Sequence, residues 1–186
     1  MILTKTAIRE AVEAGDITID PFDPELLNPN SYNYRLGHTL KALTSSPADP
    51  RREPETTTLV LPPEGYVLRP GVVYLGNTVE RIGSNERVSS LIGRSSVGRL
   101  GCFLQISADL GQLGAEHCWT LEITVVQPLR VYPGMRIGQV SFWRPTGDRM
   151  PYQGHYGRIS DPAPWAPNSL PGAVAHAALT GQEVAA

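Results

Sequence analysis

Two groups of residues between positions 89 and 126 carry side chains suited to chemistry. The first is the run Gly93-Arg94-Ser95-Ser96, with Arg99 close behind it. Glycine lets a backbone approach a ligand closely, hydroxyl and backbone N–H groups can bind an anion, and arginine offers a planar fork that fits phosphate oxygens. The run indicates an anion site, although a surface loop with an ion pair would have the same composition.

The second group is a single carboxylate in an apolar run, 119–126. Alternation along a strand places Leu121, Ile123 and Val125 on one face and Glu122 on the other. A glutamate on a solvent-facing strand surface fits this pattern. A catalytic carboxylate is the alternative, because one glutamate can take a proton from water and pass it to a leaving group when an apolar surround tunes its pKa.

Both groups belong to motifs that resemble the dCTP deaminase family, within the trimeric dUTPase-like superfamily. GRSSVGRLG is followed about twenty residues later by WTLEI. Similar segments are MILTKTAIREAVEAGDITIDPFDPELLNPNSYNYRLG, LRPGVVYLGNTVERI, YPGMRIGQVSF and PYQGHYG, so the resemblance spans roughly residues 1–157. It implies a homotrimeric hydrolase that deaminates a cytosine nucleotide, dCTP or a related one, to the uracil nucleotide plus ammonia.

The resemblance also implies catalytic roles. Glu122 would shuttle the proton, while Ser95 and the backbone at Ala108 would hold the attacking water. Arg99 would pair with the Glu122 carboxylate and keep it ionised. In this family the site forms between subunits, so Ser95 and Arg99 are expected to serve the Glu122 of a neighbouring chain.

A set of nucleotide-binding residues follows from the same resemblance. Arg94 and Ser96 would touch the phosphates, with Mg²⁺ bridging the phosphate oxygens. The remaining expected binding residues are Asp109, Gln112, Tyr152, His155 and Tyr156. The last three belong to a C-terminal arm that is expected to close over the nucleotide, and an unused tail is the alternative.

Several positions depart from the family pattern. They are Asp109 and Leu110 (for histidine and arginine), Gln112 (for an aspartate near the sugar), Ala115 (for an aromatic), His155 (for lysine) and Gly157 (for glutamine). Losing two cations weakens triphosphate binding, and losing the aromatic enlarges the pocket. The sequence therefore leaves open the number of phosphates, ribose against deoxyribose, feedback regulation and the effect of each replacement.

Zinc-dependent deaminases carry an HxE motif followed by PCxxC, and this sequence lacks that pattern. The four histidines are scattered, and the two cysteines, Cys102 and Cys118, are isolated from each other. We predict no zinc, and Mg²⁺ only through the phosphates of the substrate.

Two other functions stay open at this point. One is a dUTPase-like diphosphatase, including a bifunctional deaminase and diphosphatase, in which an aspartate activates water towards the α-phosphate. Asp109 is the only carboxylate near the required place, and it is displaced from the usual position at Gln112. The other is a non-catalytic nucleotide-binding trimer. Release of ammonia, of pyrophosphate or of neither distinguishes the three.

Bulk composition narrows the partners and the location. The net charge of −2 gives no general attraction to nucleic acid or to anionic membranes. The sequence shows no signal-peptide pattern and no long apolar span, and its cysteines form no CxxC pair, so we expect neither a leader nor a membrane span. We predict a cytoplasmic protein that binds neither nucleic acid nor membrane.

The elements that must position these residues are mainly β. The 18 glycines and 17 prolines favour short strands and turns over long helices. The predicted strands cover 17–19, 31–37, 59–61, 66–68, 72–75, 88–91, 102–106, 119–126, 129–131 and 138–142. Such spacing predicts a β-sandwich or barrel, and the resemblance sharpens it to a distorted jelly roll of the dUTPase-like type. A short N-terminal helix is predicted over 4–14. We expect a β domain at 1–144 and a partly flexible C-terminal arm at 145–186.

Overall fold

The structure is a computed structural model that describes residues 1–164. The later part of the predicted arm, 165–186, lies outside the described residues. The helices are α1 (Lys5–Glu13) and α2 (Ser95–Gly98), with 3₁₀ turns at Pro24–Leu26 and His155–Arg158. The strands are β1 (Thr18–Asp20), β2 (Tyr32–Arg35), β3 (Thr39–Leu43), β4 (Thr56–Val60), β5 (Tyr66–Leu68), β6 (Tyr74–Gly83), β7 (Val88–Gly93), β8 (Cys102–Leu104), β9 (Glu116–Val125), β10 (Leu129–Val131) and β11 (Arg136–Trp143).

Three antiparallel sheets enclose the core. The largest has the strand order β4-β3-β6-β9-β8, and β1 also pairs with β6. A second sheet has the order β2-β11-β7, and β5 pairs with β10 in a third. The inward faces of these sheets supply the fully buried side chains, among them Tyr34, Leu91, Leu121 and Phe142. The mainly β jelly-roll fold predicted from the sequence is confirmed.

A buried ion pair joins the two main sheets. Glu80 of β6 has no solvent exposure, and its Oε1 lies 2.6 Å from Nε of Arg35 on β2. The backbone N–H of Arg35 donates to the second carboxylate oxygen at 2.8 Å. Because an unpaired buried charge is costly, this ion pair holds β2 against β6. β6 in turn pairs with β9 in the largest sheet.

A glycine is required where β11 crosses β2. Gly138 lies opposite Tyr34 in the register, and a side chain at this position would run into the Tyr34 ring. The Tyr34 ring passes over Gly138, and its hydroxyl donates to the carbonyl of Ile92 on β7 at 3.0 Å. The β7 strand that leads to Gly93 and α2 is thereby held against β11.

Most predicted elements are present, but several bounds are wrong. β3 was not predicted, because apolar and polar residues do not alternate clearly over Thr39–Leu43. The strand forms through its pairing with β4 on one side and β6 on the other. β6 extends to Gly83 because its polar half is buried around Glu80. The strand predicted over 102–106 ends at Leu104. Among the described residues, no helix has both the length and the apolar composition needed to cross a bilayer.

Candidate active site

A cavity of about 730 Å³ opens beside the polar face of β9. This volume lies in the range of nucleotide-sized ligand sites. Most of its wall is apolar, and the loop after β8, the strand β9 and the C-terminal segment all contribute to it. Of the predicted site residues, Ala108, Gln112, Glu122, Tyr152 and Tyr156 line this cavity.

Glu122 reaches the cavity because of strand alternation. Leu121, Ile123 and Val125 are buried in the core, as predicted, and Thr120, Glu122 and Thr124 line the cavity on the opposite face. The Glu122 side chain keeps access to solvent in the single chain, yet its surroundings are largely apolar. Partial burial raises the pKa of the Glu122 carboxyl above its ordinary value. A carboxyl tuned in this direction is suited to both accepting and donating a proton.

Gln105 was missed by the sequence analysis. Its side chain is 6% exposed and lines the cavity, and its backbone has a positive φ of 49°. The Gln105 Oε1 accepts the backbone N–H of Glu122 at 2.7 Å, and its Nε2 donates to the carbonyl of Ala108 at 3.5 Å. Glutamine in a run of apolar residues gave no signal of this role.

His117 and Trp119 were also missed as cavity residues. Their rings pack with centroids 4.5 Å apart, and the Trp119 indole donates to the carbonyl of Ile82 at 2.8 Å. The Nδ1 of His117 lies 3.0 Å from the carbonyl of Cys118, and its buried Nε2 faces the backbone of Ile159 without a well-aligned hydrogen bond. Burial lowers the pKa of His117, against smaller opposing effects of these backbone groups, so the imidazole is neutral at pH 7.

The C-terminal segment lies over the cavity and the start of β9. The backbone N–H of Tyr152 donates to the carbonyl of Leu113 at 2.7 Å, and that of Ala163 donates to Oγ1 of Thr120 at 3.2 Å. Gly157 donates to the carbonyl of Gly154 within the 3₁₀ turn. The side chain of His155 lies outside what the structure describes, so its predicted phosphate contact stays a prediction.

The arginine and serine group lies apart from Glu122 in one chain. Ser95 and Ser96 are in α2, with Arg94 and Arg99 at its two ends. Within the described residues, none of these four side chains lines the cavity that contains Glu122. Ser95, Ser96 and Arg99 are exposed instead. The sequence predicts that Ser95 and Arg99 act at the Glu122 of a neighbouring chain. That contact can form only between chains, so it stays a prediction.

Asp109 is directed away from the cavity. Its carboxylate accepts the hydroxyl of Ser90 at 2.9 Å, and its carbonyl accepts the N–H of Leu91 at 2.7 Å. It lines a second cavity, of about 570 Å³, together with Gln139 and Trp143. By contrast, the other replaced positions in this part of the chain, Leu110, Gln112 and Ala115, all line the cavity of Glu122.

The position of Arg99 can be tested through pH dependence. An arginine that pairs with Glu122 opposes the effect of burial and lowers the carboxyl pKa. Removing this arginine in Arg99→Ala leaves the Glu122 pKa raised by burial. As the pH is lowered, the residual kcat/KM should therefore begin to fall at a higher pH than it does in the parent. The profile is measured from acidic to neutral pH, with Arg9→Ala on the exposed side of α1 as the control. An unchanged acidic limb would contradict the pairing.

The fold and this cavity define an antiparallel β protein with one carboxylate in a nucleotide-sized, largely apolar site. A sequence profile of dCTP deaminase-like proteins matches residues 2–145. The chain belongs to the dCTP deaminase-like family, as its motifs predicted.

Relatives and a solved structure agree with this placement. A Leptospira biflexa protein named "dCTP deaminase, dUMP-forming" is 44% identical over 153 residues, covering 82% of this chain and 87% of the relative. A Hathewaya histolytica protein of the same name is 41% identical over 152 residues, covering 82% and 88%. The crystal structure of 2′-deoxycytidine 5′-triphosphate deaminase from Agrobacterium tumefaciens matches with a TM-score of 0.61 at 24% identity, over 76% of this chain and 47% of that chain. This chain therefore spans less than half of the solved one, and that likeness concerns the fold.

Proposed function

We propose that this protein is a hydrolytic dCTP deaminase that forms dUMP. The observation that carries the proposal is the position of Glu122, whose carboxylate enters a largely apolar cavity of nucleotide size from strand β9. The names of relatives that are more than 40% identical over four fifths of the chain supply the substrate and the product. The site and the relatives thus support the same chemistry.

The deamination step uses one water and one carboxylate. The water oxygen attacks C4 of the cytosine ring while Glu122 takes its proton, and the C4–N bond breaks as Glu122 returns a proton to the leaving amine. The products of this step are the uracil ring and ammonia. The carbonyl of Ala108 has a second lone pair beside the bond from Gln105, and Ser95 of a neighbouring chain supplies a hydroxyl for the same water.

Formation of dUMP also removes two phosphates. In the proposed overall reaction, dCTP and two waters give dUMP, ammonia and pyrophosphate, and the second water cleaves the bond between the α- and β-phosphates. Arg94 and Ser96 are the proposed phosphate contacts, on the α2 segment of the neighbouring chain. Mg²⁺ would enter with the nucleotide as part of the substrate, and it would offset the negative charge of the phosphates beside Arg94 and Ser96.

A homotrimer with active sites between subunits is part of the proposal. Arg99 and Glu122 do not line one cavity in the described chain, so a second copy is needed to bring them together. Large apolar side chains near α2 and β8 are exposed in the single chain, as expected of a surface that other copies cover: Leu100, Phe103, Ile106, Leu110 and Val126.

Of the alternatives left open by the sequence, the bifunctional enzyme is the one proposed here, because forming dUMP from dCTP combines deamination with diphosphatase cleavage. The other two alternatives are not favoured. A diphosphatase without deaminase activity and a non-catalytic nucleotide-binding trimer both fail to account for relatives named as deaminases.

A cytoplasmic location is proposed as well, because Cys102 and Cys118 are free thiols, which suit a reducing compartment.

Product analysis tests the proposed function. The purified protein is incubated with dCTP, CTP, dCMP and dUTP in the presence of Mg²⁺, and ammonia, pyrophosphate and the nucleotides are identified by mass. Ammonia and dUMP from dCTP support the proposal. Pyrophosphate from dUTP without any deamination of dCTP would support the diphosphatase, and an unchanged panel would support a binding protein.

Metal analysis gives a separate prediction. Within residues 1–164, no group of three or more histidine, cysteine, aspartate or glutamate side chains is placed to hold a metal ion. We expect purified protein to contain no stoichiometric zinc, and a zinc-selective chelator to leave turnover with added Mg²⁺ unchanged. Elemental analysis before and after chelation measures this. Zinc at one ion per chain, with activity lost on its removal, would contradict the metal-independent mechanism.

A further inference from the structure

The β8–β9 ladder stops at the candidate catalytic residue. In this ladder Cys102 pairs with Val125, and Leu104 pairs with Ile123. The next pair in the same register would be Gln105 with Glu122. The strand ends before it, since Gln105 adopts a positive φ of 49° and the chain turns away.

The Gln105 side chain replaces the missing backbone bond. Its Oε1 accepts the Glu122 N–H at 2.7 Å, where a backbone carbonyl of β8 would have accepted it in a continued ladder. The Glu122 N–H therefore keeps an acceptor although β8 has ended, and space opens beside Glu122 for a ligand. Further along the same edge of β9, the N–H of Cys118 donates to Oγ of Ser160 at 3.4 Å.

The same side chain reaches the loop that carries Ala108. The Gln105 Nε2 donates to the Ala108 carbonyl at 3.5 Å, so one buried amide contacts both the strand of Glu122 and the proposed water-binding carbonyl. A non-glycine residue with positive φ is strained, and such strain persists where surrounding contacts hold it. At Gln105 the contacts that hold this conformation are its hydrogen bonds to the Glu122 N–H and to the Ala108 carbonyl.

We propose that Gln105 is the positioning residue of this site, setting the separation between Glu122 and the Ala108 carbonyl that together hold the attacking water. The inference rests on the proposed deaminase function. Gln105 acts through these two groups and does not itself exchange a proton with the substrate. A misplacement of about 1 Å at a reacting water can cost on the order of a hundredfold in rate, so losing this amide should affect turnover more than binding.

Two variants separate positioning from folding. Gln105→Gly removes both hydrogen bonds but also relieves the strained φ, so its melting temperature should stay close to that of the parent. We expect its kcat for dCTP to fall about tenfold or more while KM changes little. Gln105→Glu keeps an acceptor for the Glu122 N–H but places a second carboxylate beside Glu122. The acidic limb of its kcat profile should move to higher pH, because a like charge raises the carboxyl pKa.

Arg130→Met is the control. The Arg130 Nη1 donates to the carbonyls of the adjacent residues Glu64 and Gly65 at 3.2 and 3.3 Å, so this side chain also makes two hydrogen bonds to backbone, and it does not line the cavity. The Arg130→Met variant should have the kcat, the KM and the acidic limb of the parent. An active parent whose Gln105→Gly variant keeps the parental kcat, or whose Gln105→Glu variant keeps the parental acidic limb, would overturn this inference alone. A parent that releases neither ammonia nor dUMP from dCTP would overturn the proposed function as well.

Discussion

Glu122→Gln is expected to lower kcat for dCTP deamination by about 10²-fold or more while leaving nucleotide binding in place. The amide has the size of the carboxylate but cannot accept the proton of the attacking water. Because the Glu122 side chain reaches the cavity from the outer face of β9, the substitution should not disturb the core, which is formed by the opposite face of the strand.

The measurement is steady-state release of ammonia, with nucleotide binding followed separately by calorimetry. Glu116→Gln is the matched control, because Glu116 lies on the same strand, outside the cavity lining, and pairs with Arg81 at 2.5 Å. It should keep turnover near that of the parent. Near-parental turnover in Glu122→Gln itself would contradict the proton-shuttle mechanism.

Mixed trimers are expected to recover activity from two impaired chains. If Arg99 of one chain serves Glu122 of the next, a trimer that contains Arg99→Ala and Glu122→Gln chains has some sites with both groups intact. In random mixing, half of the chains supply an intact Arg99 and half an intact Glu122, so about a quarter of the sites should be active. Each variant alone should have very low turnover.

The negative control mixes Ser95→Ala with Arg99→Ala. Both residues lie in or next to α2 and come from the same chain of a shared site, so every site in this mixture keeps one defect. The two mixtures are unfolded together, refolded and assayed for ammonia release at equal protein concentration. Equal activity in both mixtures, or a monomer by light scattering, would exclude the shared site.

The sequence by itself determined the local features of this protein. Alternation along 119–126 placed Leu121 and Ile123 in the core and Glu122 on the other face, because successive side chains of a strand point to opposite sides. The motif resemblance correctly gave the family and the mainly β fold. Glycine and proline separated most of the strands, although their bounds shifted by a few residues.

The polar half of β6 was not recognised as strand. The local pattern around Glu80 is that of an exposed segment, yet this carboxylate has no solvent exposure and pairs with Arg35 of the other sheet. Burial of a charge becomes favourable only through a partner distant in the chain, and a local pattern contains no information about that partner.

Only the tertiary structure decided how the site is built. It placed Gln105 against Glu122, it put Asp109 in a second cavity, and it separated Arg99 from Glu122 within one chain. Strand periodicity records which face of each element is buried, and it does not record which distant segments meet. The cavity arises where β8 ends, β9 continues and the C-terminal segment lies against β9, so its walls are fixed by contacts between segments that lie far apart in the sequence.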